Sequence, residues 1–135
     1  MRGILRLCGT ERVNRMARIM IVDDEPDLVA TLRDLVRKAG HEIFTAGNGQ
    51  EFLDSVEKSR PDLVLLDIMM PGLSTRQILD KLKEKKLRGL KVILLTVVRM
   101  GEDESKELLK NPPIVDYITK PFDITALMKR IKKQL

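Results

Sequence analysis

Five short apolar runs recur along the chain, and an amphipathic stretch separates each from the next. The runs are Arg18–Val22, Ile43–Ala46, Leu63–Asp67, Val92–Thr96 and Val115–Thr119. A continuous apolar run of this length suits a strand buried on both faces, with no polar face left for water. Between the first two runs, Leu28, Val29, Leu32, Leu35 and Val36 recur at helical spacing, and Lys38-Ala39-Gly40 closes the helix with a cation and a glycine. Asn48 through Glu51 reads as a capping box ahead of Phe52, Leu53 and Val56. Ser74 through Gln77 reads as a second, ahead of Ile78, Leu79 and Leu82. Residues 103–110 have room for a short helix only, because Asn111-Pro112-Pro113 stops it. Asp123 then caps a last helix whose inner face carries Ile124, Leu127, Met128, Ile131 and Leu135. Parallel strands need long crossover connections, so this alternation predicts an α/β fold: a single doubly wound (βα)5 domain, a five-stranded parallel sheet with helices on both faces.

Composition narrows the function classes. A chain of 135 residues fits one domain with a core large enough to stand without disulfides or structural metals. Aromatic residues are 3% and tryptophan is absent, which disfavours the stacking platforms that bind single-stranded nucleic acid. A lone cysteine, Cys8, forms no internal disulfide, and no apolar run reaches the length of a membrane span. Arg6, Glu11, Arg12 and Arg15 interrupt the apolar patch after Arg2, so no export signal is read there, and the expected location is cytoplasmic. The domain proper is expected over 16–135, with 1–15 a flexible, basic N-terminal extension. Of the net charge of +5, that extension holds a formal +3. Lys129, Arg130, Lys132 and Lys133 crowd the other end. Both are read as solvated charge, the second complementing the dipole of the last helix.

The polar residues gain meaning once placed on that scaffold. Asp23 and Asp24 follow the first strand, Asp67 ends the third, Thr96 ends the fourth, and Lys120 follows the fifth. The carboxyl ends of the strands of an open α/β sheet share one edge, where ligands bind, so these residues converge there. Carboxylates packed together disfavour one another's ionised forms, and a hard divalent cation such as Mg²⁺ relieves this through oxygen ligands. Lys120 adds a fixed positive charge and Thr96 a hydroxyl donor. Phosphoryl transfer asks for these parts: an ionised oxygen in line with phosphorus, and cations on the equatorial oxygens. Asp67 is the natural nucleophile.

Four blocks carry a resemblance: Val22 to Pro26, Leu65 to Gly72, Leu94 to Thr96, and Tyr117 to Phe122. In this order and at these separations the chain resembles CheY-like response-regulator receiver domains from Met16 onward. The resemblance implies the sheet order 2-1-3-4-5 and a place in a two-component phosphorelay. It implies that Asp67 is the phosphoacceptor, that Asp24 ligates the metal directly, that Asp23 assists, and that the Met69 backbone carbonyl completes a Mg²⁺ site that also accepts Mn²⁺. It makes Lys120 the phosphate-pairing lysine, with a cis Lys120–Pro121 peptide bond, and Thr96 and Tyr117 a switch pair. The expected phosphodonor is a sensor histidine kinase or a histidine phosphotransfer protein. The output is expected through contacts with a downstream protein, with no DNA-binding domain and no membrane span. Its only chemistry would be its own phosphorylation and dephosphorylation.

The sequence departs from the family at three places. Ser74-Thr75 replaces an Asp-Gly pair, Val97 stands where a small residue usually follows the threonine, and Asn111-Pro112-Pro113 replaces a Gly-Ala stretch. Val97, branched and stiff, is expected to gate access to the phosphoryl pocket. His41 is read as a solvated residue without a role. Of the rival readings, a phosphorylation-independent interaction module would predict eroded acid, Thr or Lys positions, and none is eroded. A haloacid-dehalogenase-like phosphatase would need an Asp-x-Asp motif after the first strand, which Asp23-Asp24-Glu25-Pro26 does not supply.

Overall fold

The apolar runs become the strands of one parallel sheet. The structure, a computed structural model, describes residues 16–99 and 101–135; the segment 1–15, with its expected flexible extension, lies outside the described residues. In chain order the elements are β1 (Arg18–Val22), α1 (Pro26–Lys38), β2 (Glu42–Ala46), α2 (Gly49–Ser59), β3 (Leu63–Asp67), α3 (Thr75–Glu84), β4 (Lys91–Thr96), α4 (Glu102–Leu109), β5 (Ile114–Thr119) and α5 (Ile124–Gln134). Among the described residues the sheet has five strands in the order β2-β1-β3-β4-β5, the doubly wound arrangement the resemblance implied.

Side chains on a strand alternate between faces, and the core divides accordingly. Met20, Val22, Val64, Leu66, Val92 and Leu94 pack with Phe52, Leu53 and Val56 of α2 and Ile78 and Leu82 of α3. Ile19, Ile21, Leu63, Leu65, Ile93 and Leu95 pack with Leu32 and Val36 of α1 and Leu127 and Ile131 of α5. Every residue of β3 is buried, because the strand lies at the sheet centre under both layers.

Local chemistry sets the element ends. Ser74 and Gln77 form the reciprocal capping box at α3. At α2 the expected box is only half made: Asn48 accepts from the Glu51 N–H at 2.9 Å, but the Glu51 carboxylate takes the Gly47 N–H at 2.6 Å, one residue upstream. Gly40 follows α1 with φ +93°, a left-handed conformation that suits glycine. His41 is half-buried rather than solvated: its Nδ1 accepts the Ala17 N–H at 3.0 Å, tying the loop before β2 to the start of β1. Arg130 is not free in solvent either. Its guanidinium donates to the Asp116 carboxylate at 2.7 Å and to the Tyr117 carbonyl at 2.8 Å.

Candidate functional site

Strand register brings the site together. Val22 pairs with Leu66, so Asp23 and Asp67 leave neighbouring strands side by side. Thr96 pairs with Thr119, and the Lys120 N–H donates to the Thr96 carbonyl at 2.6 Å, which carries the lysine to the same edge. The Lys120–Pro121 bond is cis.

Asp67 is buried, and its two oxygens differ. Oδ1 accepts the Met69 N–H at 2.9 Å, while Oδ2 lies 3.5 Å from the Lys120 ammonium. Burial pushes the Asp67 carboxyl above its ordinary pKa. The Asp23 charge adds to the rise, against the Met69 N–H and Lys120, which favour ionisation. Asp23 is buried too, with Oδ1 accepting the Glu25 N–H at 3.0 Å and Oδ2 2.9 Å from Lys120. Burial alone would lower the lysine's pKa. Hydrogen bonds to Glu25 and Asp23, with the charges of Asp23 and Asp67, outweigh it and hold the ammonium well above its ordinary value.

Glu25 is the member the sequence reading missed. Its Oε1 stands 2.9 Å from the Lys120 ammonium, and Asp23, Glu25 and Asp67 can each offer an oxygen within 4.8 Å of the others. Asp24, expected as the direct metal ligand, is exposed and lies outside this group. Lys120 explains the difference: its ammonium pairs with the carboxylates on either side of Asp24 and leaves Asp24 to solvent. Asp23 and Asp67 suit Mg²⁺: hard carboxylate oxygens, crowded enough to repel, beside a loop that can furnish a carbonyl.

The remaining expected residues differ in burial. Thr96 is fully buried, and its hydroxyl accepts the Val98 N–H at 3.0 Å. Tyr117 is half-buried against the α2/α3 side of the core. Val97 is 53% exposed, and Val98 and Met69 are exposed apolar side chains on the loops after β4 and β3.

Comparison with known proteins places this geometry. Residues 19–132 match the family model described as the response regulator receiver domain. The chain is 38% identical over 122 residues to sporulation initiation phosphotransferase F of Bacillus subtilis, covering 87% of this chain and 93% of that protein. It is 37% identical over 117 residues to a probable transcriptional regulatory protein, TcrX, of Mycobacterium tuberculosis; there it covers 87% of this chain and spans only 49% of the relative. Among solved structures, response regulator TrrA of Thermotoga maritima, in complex with Mg²⁺ and BeF, superposes with a TM-score of 0.71 at 36% identity, covering 89% of this chain and 100% of that one.

Proposed function

The chain belongs to the response regulator receiver domain family, a two-component signalling family, and from that premise we propose that Asp67 is the residue that takes the phosphoryl group. One observation carries the reading: Asp67 ends the central strand buried, with Oδ1 fixed by the Met69 N–H and Oδ2 facing the Lys120 ammonium at 3.5 Å. Oδ2 attacks phosphorus in line, the P–N bond of a donor phosphohistidine breaks, and the leaving imidazole keeps the electron pair. Lys120 holds the charge of the transferred group, and the Thr96 hydroxyl leaves the Val98 N–H to donate to it, vacating space for the Tyr117 ring. Asp23, Asp24, Asp67 and the Met69 carbonyl are the proposed ligands of Mg²⁺, for which Mn²⁺ substitutes. When bound, the ion neutralises charge on the transferring phosphoryl oxygens. The complex of TrrA with Mg²⁺ and BeF supports Mg²⁺ as the ion. Val97 narrows the approach to Asp67 for donor and water alike.

The donor is a sensor histidine kinase or a histidine phosphotransfer protein, and the signal leaves through contact with a downstream protein. The domain acts in the cytoplasm and changes only its own phosphorylation state; no helix among the described residues is long and apolar enough to cross a membrane. Incubation with acetyl phosphate and Mg²⁺, followed by intact-mass measurement, tests the reading. The wild type gains one phosphoryl group and Asp67→Asn gains none, because an amide is no nucleophile. Equal gain in both proteins would refute it.

A further inference from the structure

Glu25 stands at the N-cap of α1, yet its side chain makes no capping hydrogen bond. The carboxylate turns away from the helix to Lys120, at 2.9 Å, closer than the lysine's 3.5 Å to Asp67. The two partners differ in their surroundings. The Lys120 side chain is 12% exposed, whereas that of Glu25 is 59% exposed. Glu25 can therefore swing into water without losing packing, while Lys120 stays among the carboxylates.

We propose that Glu25 is a positioning residue that acts through Lys120, competing with the phosphoryl group for the lysine's ammonium. The inference rests on Asp67 being the phosphoacceptor. Before transfer, Glu25 and Asp23 share the ammonium, each at 2.9 Å. A phosphoryl group on Asp67 brings acceptor oxygens carrying nearly two negative charges. It must draw Lys120 off one of these partners, and the exposed one yields, since Asp23 is buried and its other oxygen is bound to the Glu25 N–H. Glu25 thereby sets how strongly the unphosphorylated state is held. Without Glu25 the lysine would keep only Asp23 at that distance and pass more readily to the phosphoryl group.

Binding of Mg²⁺-beryllofluoride, an unreactive phosphoryl mimic, reads this competition without turnover, and the single tyrosine, Tyr117, in a chain lacking tryptophan offers an intrinsic reporter. Wild type, Glu25→Gln, Lys120→Gln and the double variant are titrated with the mimic, and the first two with Mg²⁺ alone. Glu25→Gln should bind the mimic about fivefold tighter, the scale of one partly exposed ion pair. The gain should vanish in the Lys120→Gln background, as a double-mutant cycle demands of a pair that acts together. If Lys120→Gln does not fold, the Lys120 side-chain amine resonance of the metal-free protein decides instead, and should shift in Glu25→Gln. Unchanged affinity for the mimic, or an unshifted resonance, overturns the proposal. A gain that persists without Lys120 overturns it in favour of simple charge repulsion, and weaker binding of Mg²⁺ alone overturns it in favour of Glu25 as a metal ligand. A wild type that takes no phosphoryl group from acetyl phosphate takes the functional reading down as well; one that loads normally while Glu25→Gln behaves as wild type sinks the competition alone.

Discussion

At the scale of single residues, Val97 is the departure nearest the chemistry. Its side chain is exposed on the loop after β4, directly following the buried Thr96. A β-branched side chain is stiff at χ1 and does not swing clear easily. Both the incoming phosphodonor and the water that later cleaves the acyl phosphate need in-line approach, so Val97 should slow both. Val97→Ala should speed loading from acetyl phosphate and subsequent loss of phosphate, each by more than about twofold, or about 0.4 kcal/mol of barrier. Rates unchanged within that margin would mean the valine is no gate. His41 gives a second test, by pH. Burial lowers its pKa from 6.5, and protonation would also destroy the acceptor that holds the Ala17 N–H. With the folded pKa depressed, the unfolded chain binds the extra proton, so stability is complete above pH 6.5 and declines as pH falls below it. His41→Gln keeps an acceptor but not the titration. Its melting temperature should fall less than that of the wild type between pH 7.5 and pH 5, values chosen to bracket about pH 6.5. The sequence alone placed Asp67, Thr96 and Lys120 at one edge of the sheet, because each ends or directly follows a strand. It could not show that His41 faces Ala17, or that Lys120 selects Glu25 over Asp24, because those depend on loop conformation.

At the scale of elements, the helices are unequal. α1, α2, α3 and α5 each bury apolar side chains, but α4 buries none among its eight residues and holds its place chiefly beside the edge strand β5. A short helix that sets only the partly buried Leu108 against the core has little tertiary support. Backbone amides of α4 should exchange with solvent fastest of the helical amides, which hydrogen–deuterium exchange would show; protection equal to that of α2 would contradict it. The α3 terminus is the opposite case. Removing the Ser74 hydroxyl by Ser74→Ala breaks the capping box and should lower stability by about 1 kcal/mol in denaturant unfolding. Elements were legible because strand and helix periods differ, and the stop at Asn111-Pro112-Pro113 ended α4 at Leu109. The half-made box at α2 was not legible. The same Asn and Glu spacing fits a carboxylate that reaches its cap residue or one that reaches the glycine before it, and only the turn at Gly47 decides.

At the scale of the whole molecule, the fold concentrates its electrostatic strain at one edge of the sheet and leaves the rest to apolar packing. Among the described residues the buried charged side chains are Asp23 and Asp67, both at that edge, and they share a single lysine with Glu25. A divalent cation that binds only the folded state should then raise stability by mass action, about 1.4 kcal/mol when its concentration is ten times Kd. For a chain of this size that is a melting shift of roughly 5 °C. The shift belongs to one edge, so variants should sort by position. Asp23→Asn and Asp24→Ala should each lose most of it. Glu25→Gln should keep it, since Glu25 is proposed to hold the lysine and not the metal. Ile131→Val offers the distant control: Ile131 lies in the last turns of α5, which runs away from the edge where Lys120 sits. It should lower the metal-free baseline by about 1 kcal/mol through lost packing while leaving the Mg²⁺ shift intact, because separated sites add. An equal Mg²⁺ shift in wild type, Asp23→Asn and Asp24→Ala would put the cation elsewhere, and loss of the shift in Ile131→Val would mean that the site and the core are not separable.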